Sequence, residues 1–335
     1  MKNLRVLALV LSSAAGVCAC QACQTAAPPP TSAASQPQTA PRPRPDVAPV
    51  PTPAGDVEFR SALDLAQTPR PGEPDLRGGR EAVSSEWPAS LYATFAANGA
   101  TAACTAALIG PTVMLTAAHC VPSSGAVTFT YEGHARAYVA TCAKHPDYAS
   151  TEGDPSADFA LCTFAPAFAA PAGFRYETVS TSGMSALINR TVVLTGFGCV
   201  SSVASAAPFD GKYRIGFSTI DDSSASASRA RGDEFYAPRE RNNLFTSADP
   251  AQANLCPGDS GGPVFTRTAD LPDLTRREIV GITSRVFQDP ARAGFGSSII
   301  SATGSPAFRS WAGQWARQTG AAACGITGIL SNCRS

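Results

Sequence analysis

The sequence predicts a loop-rich, all-β protein standing behind a leader with no fold of its own. Only 16% of the 335 residues are charged and small residues abound, which suits strands and turns better than solvated helices. Apolar residues come in short runs closed by turn formers. One example is Cys104-Thr105-Ala106-Ala107-Leu108-Ile109, then Gly110-Pro111, then Val113-Met114-Leu115-Thr116, which reads as a hairpin. The 11 cysteines are dispersed, without zinc-site spacing, so disulfides and an oxidising compartment are expected. Charge is balanced at 26 basic and 26 acidic residues, and nothing in it calls for nucleic acid or an anionic surface as partner.

The leader has two parts. Lys2 and Arg5 precede an apolar run from Val6 to Leu11, so residues 1–23 read as a secretory signal, too short for a stable membrane-spanning helix. Val17-Cys18-Ala19-Cys20 resembles a bacterial lipobox, which makes Cys20 the favoured lipidation site over ordinary cleavage near Ala19 or Ala22. A lipid there would tether the protein without spanning the membrane. From Gln24 to Asp75 the composition shifts, with 13 of the 28 prolines among Ala, Thr, Ser and Gln. This stretch is expected to be an unfolded spacer or pro-segment, preferred over a short helical turn across Phe59 to Leu65.

The residues that carry chemistry lie further on. In Cys256-Pro257-Gly258-Asp259-Ser260-Gly261-Gly262-Pro263, glycines flank a serine on a tight turn, leaving its hydroxyl free to attack. The amides of Gly258 and Ser260 could then hold an oxyanion. A serine nucleophile needs a base and a group that orients it, and the chain has only 3 histidines. His119 lies in Leu115-Thr116-Ala117-Ala118-His119-Cys120, and Asp158 in Ala157-Asp158-Phe159-Ala160-Leu161. The order excludes competitors. An α/β-hydrolase elbow places its histidine after the serine, and none follows Ser260; a subtilisin-like site needs Asp before His before Ser.

These three segments resemble the signature segments of the chymotrypsin-like (trypsin-like) serine proteases, over roughly Leu76 to Arg317. The resemblance implies two antiparallel Greek-key β-barrels, a cleft between them and a C-terminal helix. The expected division is barrel 1 over about 76–185, barrel 2 over 186–305, a helix over 306–317 and a disulfide tail over 319–335. It also implies a secreted serine endopeptidase with His119, Asp158 and Ser260 as its triad, a polypeptide substrate and no cofactor or metal. Glu152 and Asp154 are read as an exposed loop rather than a calcium site. Such a chain is expected to be a monomer. The alternative is a catalytically silent, surface-anchored binding module on the same fold.

Other roles follow from the same resemblance. Leu76-Arg77-Gly78-Gly79 matches the mature N-terminus whose ammonium inserts beside Asp259, although Leu76, Arg77 and the preceding Asp75 depart from the usual pattern. Either another protease makes that cut, or a different group satisfies Asp259. The resemblance implies a disulfide between Cys104 and Cys120; Cys142 and Cys162 bracket Asp158 and are paired as a local staple, Cys199 is the natural partner of Cys256, and that leaves Cys324 with Cys333, though sequence alone does not fix connectivity. The first would pin His119, and a loop of about fifteen residues is worth about 3 kcal/mol in the chain-entropy model. Val127–Tyr131, Ala137–Ala140 and Lys212–Ile220 read as strands, and Phe197 fills a position usually aromatic. Glu278–Val286 reads as an edge strand beside the specificity pocket: Ser284 supports the aspartate, and Ser284, Arg285 and Val286 would accept substrate as an added strand. Asn254, six residues before Ser260, forms the pocket base, with Val286 at its mouth and Gly296 on the opposite wall. Without a carboxylate at the base, a small or medium neutral residue is expected before the cut bond.

Overall fold

Alternation of side chains along strands decides which way each segment faces. In Val127–Thr130, Val127 and Phe129 are buried while the two threonines are half-buried. Such segments close into sheets here, and few helices accompany them. The computed structural model describes residues 52–61, 79–149, 155–198, 212–223, 242–266, 276–288 and 296–334, apart from positions 83, 98–99, 132–136, 181, 248, 250, 257 and 329.

In chain order the strands are β1 (Val57–Ser61), β2 (Arg80–Glu81), β3 (Ser90–Ala97), β4 (Ala100–Gly110), β5 (Val113–Thr116), β6 (Val127–Thr130), β7 (Tyr138–Lys144), β8 (Ala160–Ala165), β9 (Thr178–Val179) and β10 (Thr191–Gly196). There follow β11 (Arg214–Ser223), β12 (Asn243–Thr246), β13 (Pro263–Thr266), β14 (Glu278–Gln288) and β15 (Gly296–Ala302). Two helices are α1 (Pro146–Ala149) and α2 (Pro306–Thr319). The first barrel closes in the order β1-β3-β4-β5-β8-β7-β6. The second runs β10-β13-β14-β15-β12-β11 and closes through β10–β11 pairing, with β2 added to β11 and β9 to β14. Two closed barrels and one C-terminal helix are the architecture expected.

One expectation is corrected. The stretch from Gln24 to Asp75 is not wholly an unfolded spacer, because Val57–Ser61 is a barrel strand. Val57, Phe59 and Ser61 are buried and Glu58 and Arg60 exposed. β1 pairs antiparallel with β3 and parallel with β6. Five residues of correct alternation close a barrel when both neighbours offer backbone partners, whatever the composition around them. Barrel 1 therefore begins at Val57 rather than near residue 76. The helical turn over Phe59–Leu65 is replaced by strand as far as Ser61; the remainder lies outside the described residues.

A second correction concerns Glu278–Val286. Its first half is interior, paired with β13 on one side and β15 on the other (Ile282 opposite both Pro263 and Ser301). Beyond Thr283, β15 alone among the described residues pairs with it, so within them Ser284–Gln288 forms the free edge.

The strands of barrel 2 bury both faces, which explains their continuous apolar runs. In β10, Val192 and Leu194 join a cluster with Ile220, Leu244 and Ile300, while Val193 joins the larger core shared with barrel 1. Phe197 sits in that larger core with its ring 4.8 Å from those of Tyr92 and Tyr213. Helix α2 starts where Ser305 caps the Phe308 amide at 3.2 Å and Pro306 supplies a preset φ, and it stops at Gly320 in the left-handed region. Its buried face, Phe308, Ala312, Trp315 and Ala316, has helical spacing.

A buried ion cluster ties distant parts of the chain together. The Glu177 carboxylate, 0% exposed, accepts from Arg277 Nε at 3.1 Å and Nη2 at 2.5 Å, and pairs with Arg334 Nε at 3.2 Å. Arg277 also lies 3.6 Å over the Trp87 ring. Removing one partner strands the others in low dielectric. Glu177→Ala is expected to lower unfolding free energy by about 3–5 kcal/mol, read as a fall in urea midpoint, whereas a change under about 1 kcal/mol would show that the cluster is dispensable.

Candidate active site

The cleft residues are placed by the ends of strands. His119 follows β5 on a short 3-10 turn, Ala118–Cys120, and Cys120 is bonded to Cys104 of β4 with their Cα atoms 5.9 Å apart. Cys104, His119 and Cys120 cluster, but the two sulfurs are joined to each other and offer no thiolates to a metal. Asp158 immediately precedes β8, and Cys162 of that strand bridges to the directly opposed Cys142 of β7. Cys324 and Cys333 are joined in the tail. Cys256 is also disulfide-bonded; Cys199, its expected partner, lies outside the described residues, as do Cys20, Leu76, Glu152 and Asp154.

Asp158 is 1% exposed and reaches donors on two sides. Its Oδ1 accepts the His119 backbone N–H at 3.0 Å. Its Oδ2 lies 2.7 Å from His119 Nδ1 and accepts the Ser284 hydroxyl at 2.6 Å. Burial alone would raise its pKa, but the charge of His119 and these hydrogen bonds outweigh it, holding the carboxyl below its ordinary value. An ionised carboxylate only accepts, so Nδ1 donates a proton toward Oδ2. The other ring nitrogen, Nε2, is buried and has no hydrogen-bond partner among the described residues.

α2 packs behind this network. The Phe308 ring lies 4.8 Å from Phe159, next to Asp158, and Trp311 lies 5.1 Å from His145. His145 accepts the Asp147 amide at 3.2 Å, opening α1, and so holds a structural place. Arg285, whose backbone was the expected substrate contact, sends its guanidinium to the Pro155 carbonyl at 2.9 Å and secures the loop leading to Asp158.

The serine turn is held between the barrels. The Ser260 carbonyl accepts the Thr105 amide at 2.7 Å, and the Thr116 hydroxyl bonds the Thr105 carbonyl at 2.8 Å. Gly261, at φ +78°, lies against Thr105 and Thr116, where a side chain would collide with both. Thr283 exchanges backbone bonds with this turn, accepting from Gly261 at 2.8 Å and donating to Gly262 at 2.9 Å. Among the described residues no acceptor engages the amides of Gly258 or Ser260. The threonines escaped sequence reading because threonine on a strand gives no signal of a contact made 155 residues away.

Asp259 is wholly buried and turns away from the cleft. Its Oδ1 accepts the Gly198 amide at 2.7 Å and its Oδ2 the Cys256 amide at 2.8 Å. Gly198 must be glycine, since a Cβ would come within 2.5 Å of the carboxylate. Burial pushes the Asp259 pKa up to about 7, opposed by the two amides and by the field of buried Arg214. Arg214, on β11, donates to the Gly198 carbonyl at 3.2 Å, so one residue joins cation and carboxylate through its two backbone groups.

Asn254 is 3% exposed, and neither its amide nitrogen nor its amide oxygen has a hydrogen-bond partner among the described residues. The next residue is fixed by Leu255 N–H to Ser298 Oγ at 2.9 Å. Val286 packs on the second core cluster, and Gly296 begins β15 opposite Gln288.

Two β-barrels with an aspartate–histidine pair and a glycine-flanked serine turn where they meet define a two-barrel serine hydrolase. The family model described as Trypsin matches residues 76–311, and the chain belongs to that family. It is a serine endopeptidase.

The buried Asp259 also sets a pH dependence. An unfolded aspartate ionises near pH 3.9, while folded Asp259 keeps its proton to about pH 7. Between those values the folded chain binds the extra proton, so this group's contribution to stability is greatest below about pH 4 and declines toward pH 7. The difference in unfolding free energy between wild type and Asp259→Asn should fall by an amount on the order of 4 kcal/mol across that window. A flat difference would mean that Asp259 is ionised throughout.

Proposed function

We propose that Ser260 attacks the peptide carbonyl while His119 takes its proton and returns it to the leaving amine. Asp158 fixes the His119 tautomer and stabilises the imidazolium. The amides of Gly258 and Ser260 receive the oxyanion. The observation that carries this reading is the buried Ser284–Asp158–His119 chain of hydrogen bonds ending on an unclaimed Nε2. The serine turn packs against Thr116, three residues before His119.

Substrate binds as an added strand along Ser284, Arg285 and Val286, where β14 has a free edge. Asn254 forms the base of the pocket for the residue before the cut bond. An uncharged base and Val286 at the mouth favour a small or medium neutral side chain there. The protein acts as a monomer outside the cytoplasm, a reading supported by its disulfides, and Cys20 is the proposed lipid anchor. No helix among the described residues is long and apolar enough to cross a membrane.

A fluorophosphonate probe should label the wild-type chain and leave Ser260→Ala unlabelled. Labelling that survives the substitution, or is absent even from a chain cut before Leu76 with the β1 segment still present, would overturn the assignment of Ser260 and favour the silent binding module. Asp158→Asn is expected to lower kcat roughly 10⁴-fold, because the neutral amide no longer selects the Nδ1–H tautomer. In a peptide library, Asn254→Asp should move the preference toward Arg and Lys. An unchanged preference would place the pocket base elsewhere.

A further inference from the structure

β1 belongs to the barrel by contact and to the leader by sequence. The family match begins at residue 76, yet Val57–Ser61 lies between β3 and β6. Its register runs from Phe59 opposite Ala93 to Ser61 opposite Leu91 on one side, and from Val57 beside Val127 to Arg60 beside Thr130 on the other. Phe59 and Val57 are 0% and 1% exposed, in the same core as Phe129 and Leu91.

The lead-in to the strand is fitted as well. Val57 N–H donates to the Ala126 carbonyl at 2.9 Å, and the Asp56 carboxylate accepts the Ala126 amide at 2.8 Å. Gly125, at φ +130°, lies so close to Gly55 that a Cβ would stand 2.8 Å from the Gly55 carbonyl carbon. These contacts amount to a slot for one strand, with hydrogen bonds along both edges and an apolar floor. No cysteine lies between residues 24 and 103, so no disulfide within that stretch can hold β1 to the rest of the chain.

We infer that the slot between β3 and β6 is a strand-binding site for the leader, which stays bound as a separate, noncovalent chain after the backbone is cut between Ser61 and Leu76. A cut at the start of the family domain therefore yields a two-chain protease and does not free it from whatever holds the leader. This holds whatever the roles of Ser260 and Asn254, so the test reads retention rather than activity.

The recognition sequence of a site-specific protease is inserted between Gly72 and Glu73 of the full chain, in the Ser260→Ala background, and cut until a denaturing gel shows two pieces. Under native size exclusion the pieces should co-elute one to one, and should separate in unfolding denaturant. Glu58→Ser, on the exposed face of β1, should leave co-elution intact, whereas Phe59→Asp should release the leader on cutting. Circular dichroism of the uncut Phe59→Asp chain checks its fold, and Phe59→Ala replaces it if that fold is lost. If the folded chain resists the cut, the two pieces are co-expressed and copurification through a tag on the shorter is read instead. Elution of the leader apart from a folded wild-type remainder overturns the inference, as does equal retention of the wild-type and Phe59-substituted leaders.

Discussion

A carboxylate shut away from water has to find protein donors for the lone pairs that water would have served. Asp158 finds them on two barrels: the His119 amide and ring from the first, the Ser284 hydroxyl from the second. Both barrels thus supply donors to the carboxylate that orients the imidazole. Phe308 and Trp311 of α2 pack beside the Asp158 loop, which makes a surface helix part of the electrostatics of the cleft.

The serine turn obeys a steric constraint of the same kind. It is pinned by Thr105 on the barrel 1 side and by Thr283 on the barrel 2 side, with glycine at Gly261 where a side chain would collide with Thr105. Between these two pins no acceptor among the described residues engages the amides of Gly258 and Ser260. A rigid turn with spare donors suits a site where charge develops, since little reorganisation is needed when it appears.

The fold class was legible because three short motifs with fixed order and chemistry outweigh weak local propensities. The pairs at Cys104 and Cys142 were legible for a related reason, since each brackets a motif residue, whereas Cys324 with Cys333 followed as the pair left over. Val57–Ser61 was not, because composition averaged over some fifty proline-rich residues hides a five-residue alternation. Glu177 and Arg277 were not, since a pair separated by 100 residues leaves no local pattern. The free edge of β14 was misjudged in length, because an apolar run such as Ile279-Val280-Gly281-Ile282 reads the same whether one or both of its sides are paired. Arg214 near Asp259 was invisible for a different reason: a lone arginine at a strand start looks like a solvated charge.

The partners of Glu177 also set an order of events. Its carboxylate lies near the middle of the chain, while Arg277 and Arg334 are made later. As ribosome or export channel delivers the chain N-terminus first, barrel 1 emerges carrying an acid that has no interior place until the second barrel arrives. Glu177 therefore finds its two cations only after the strands of barrel 1 have been made.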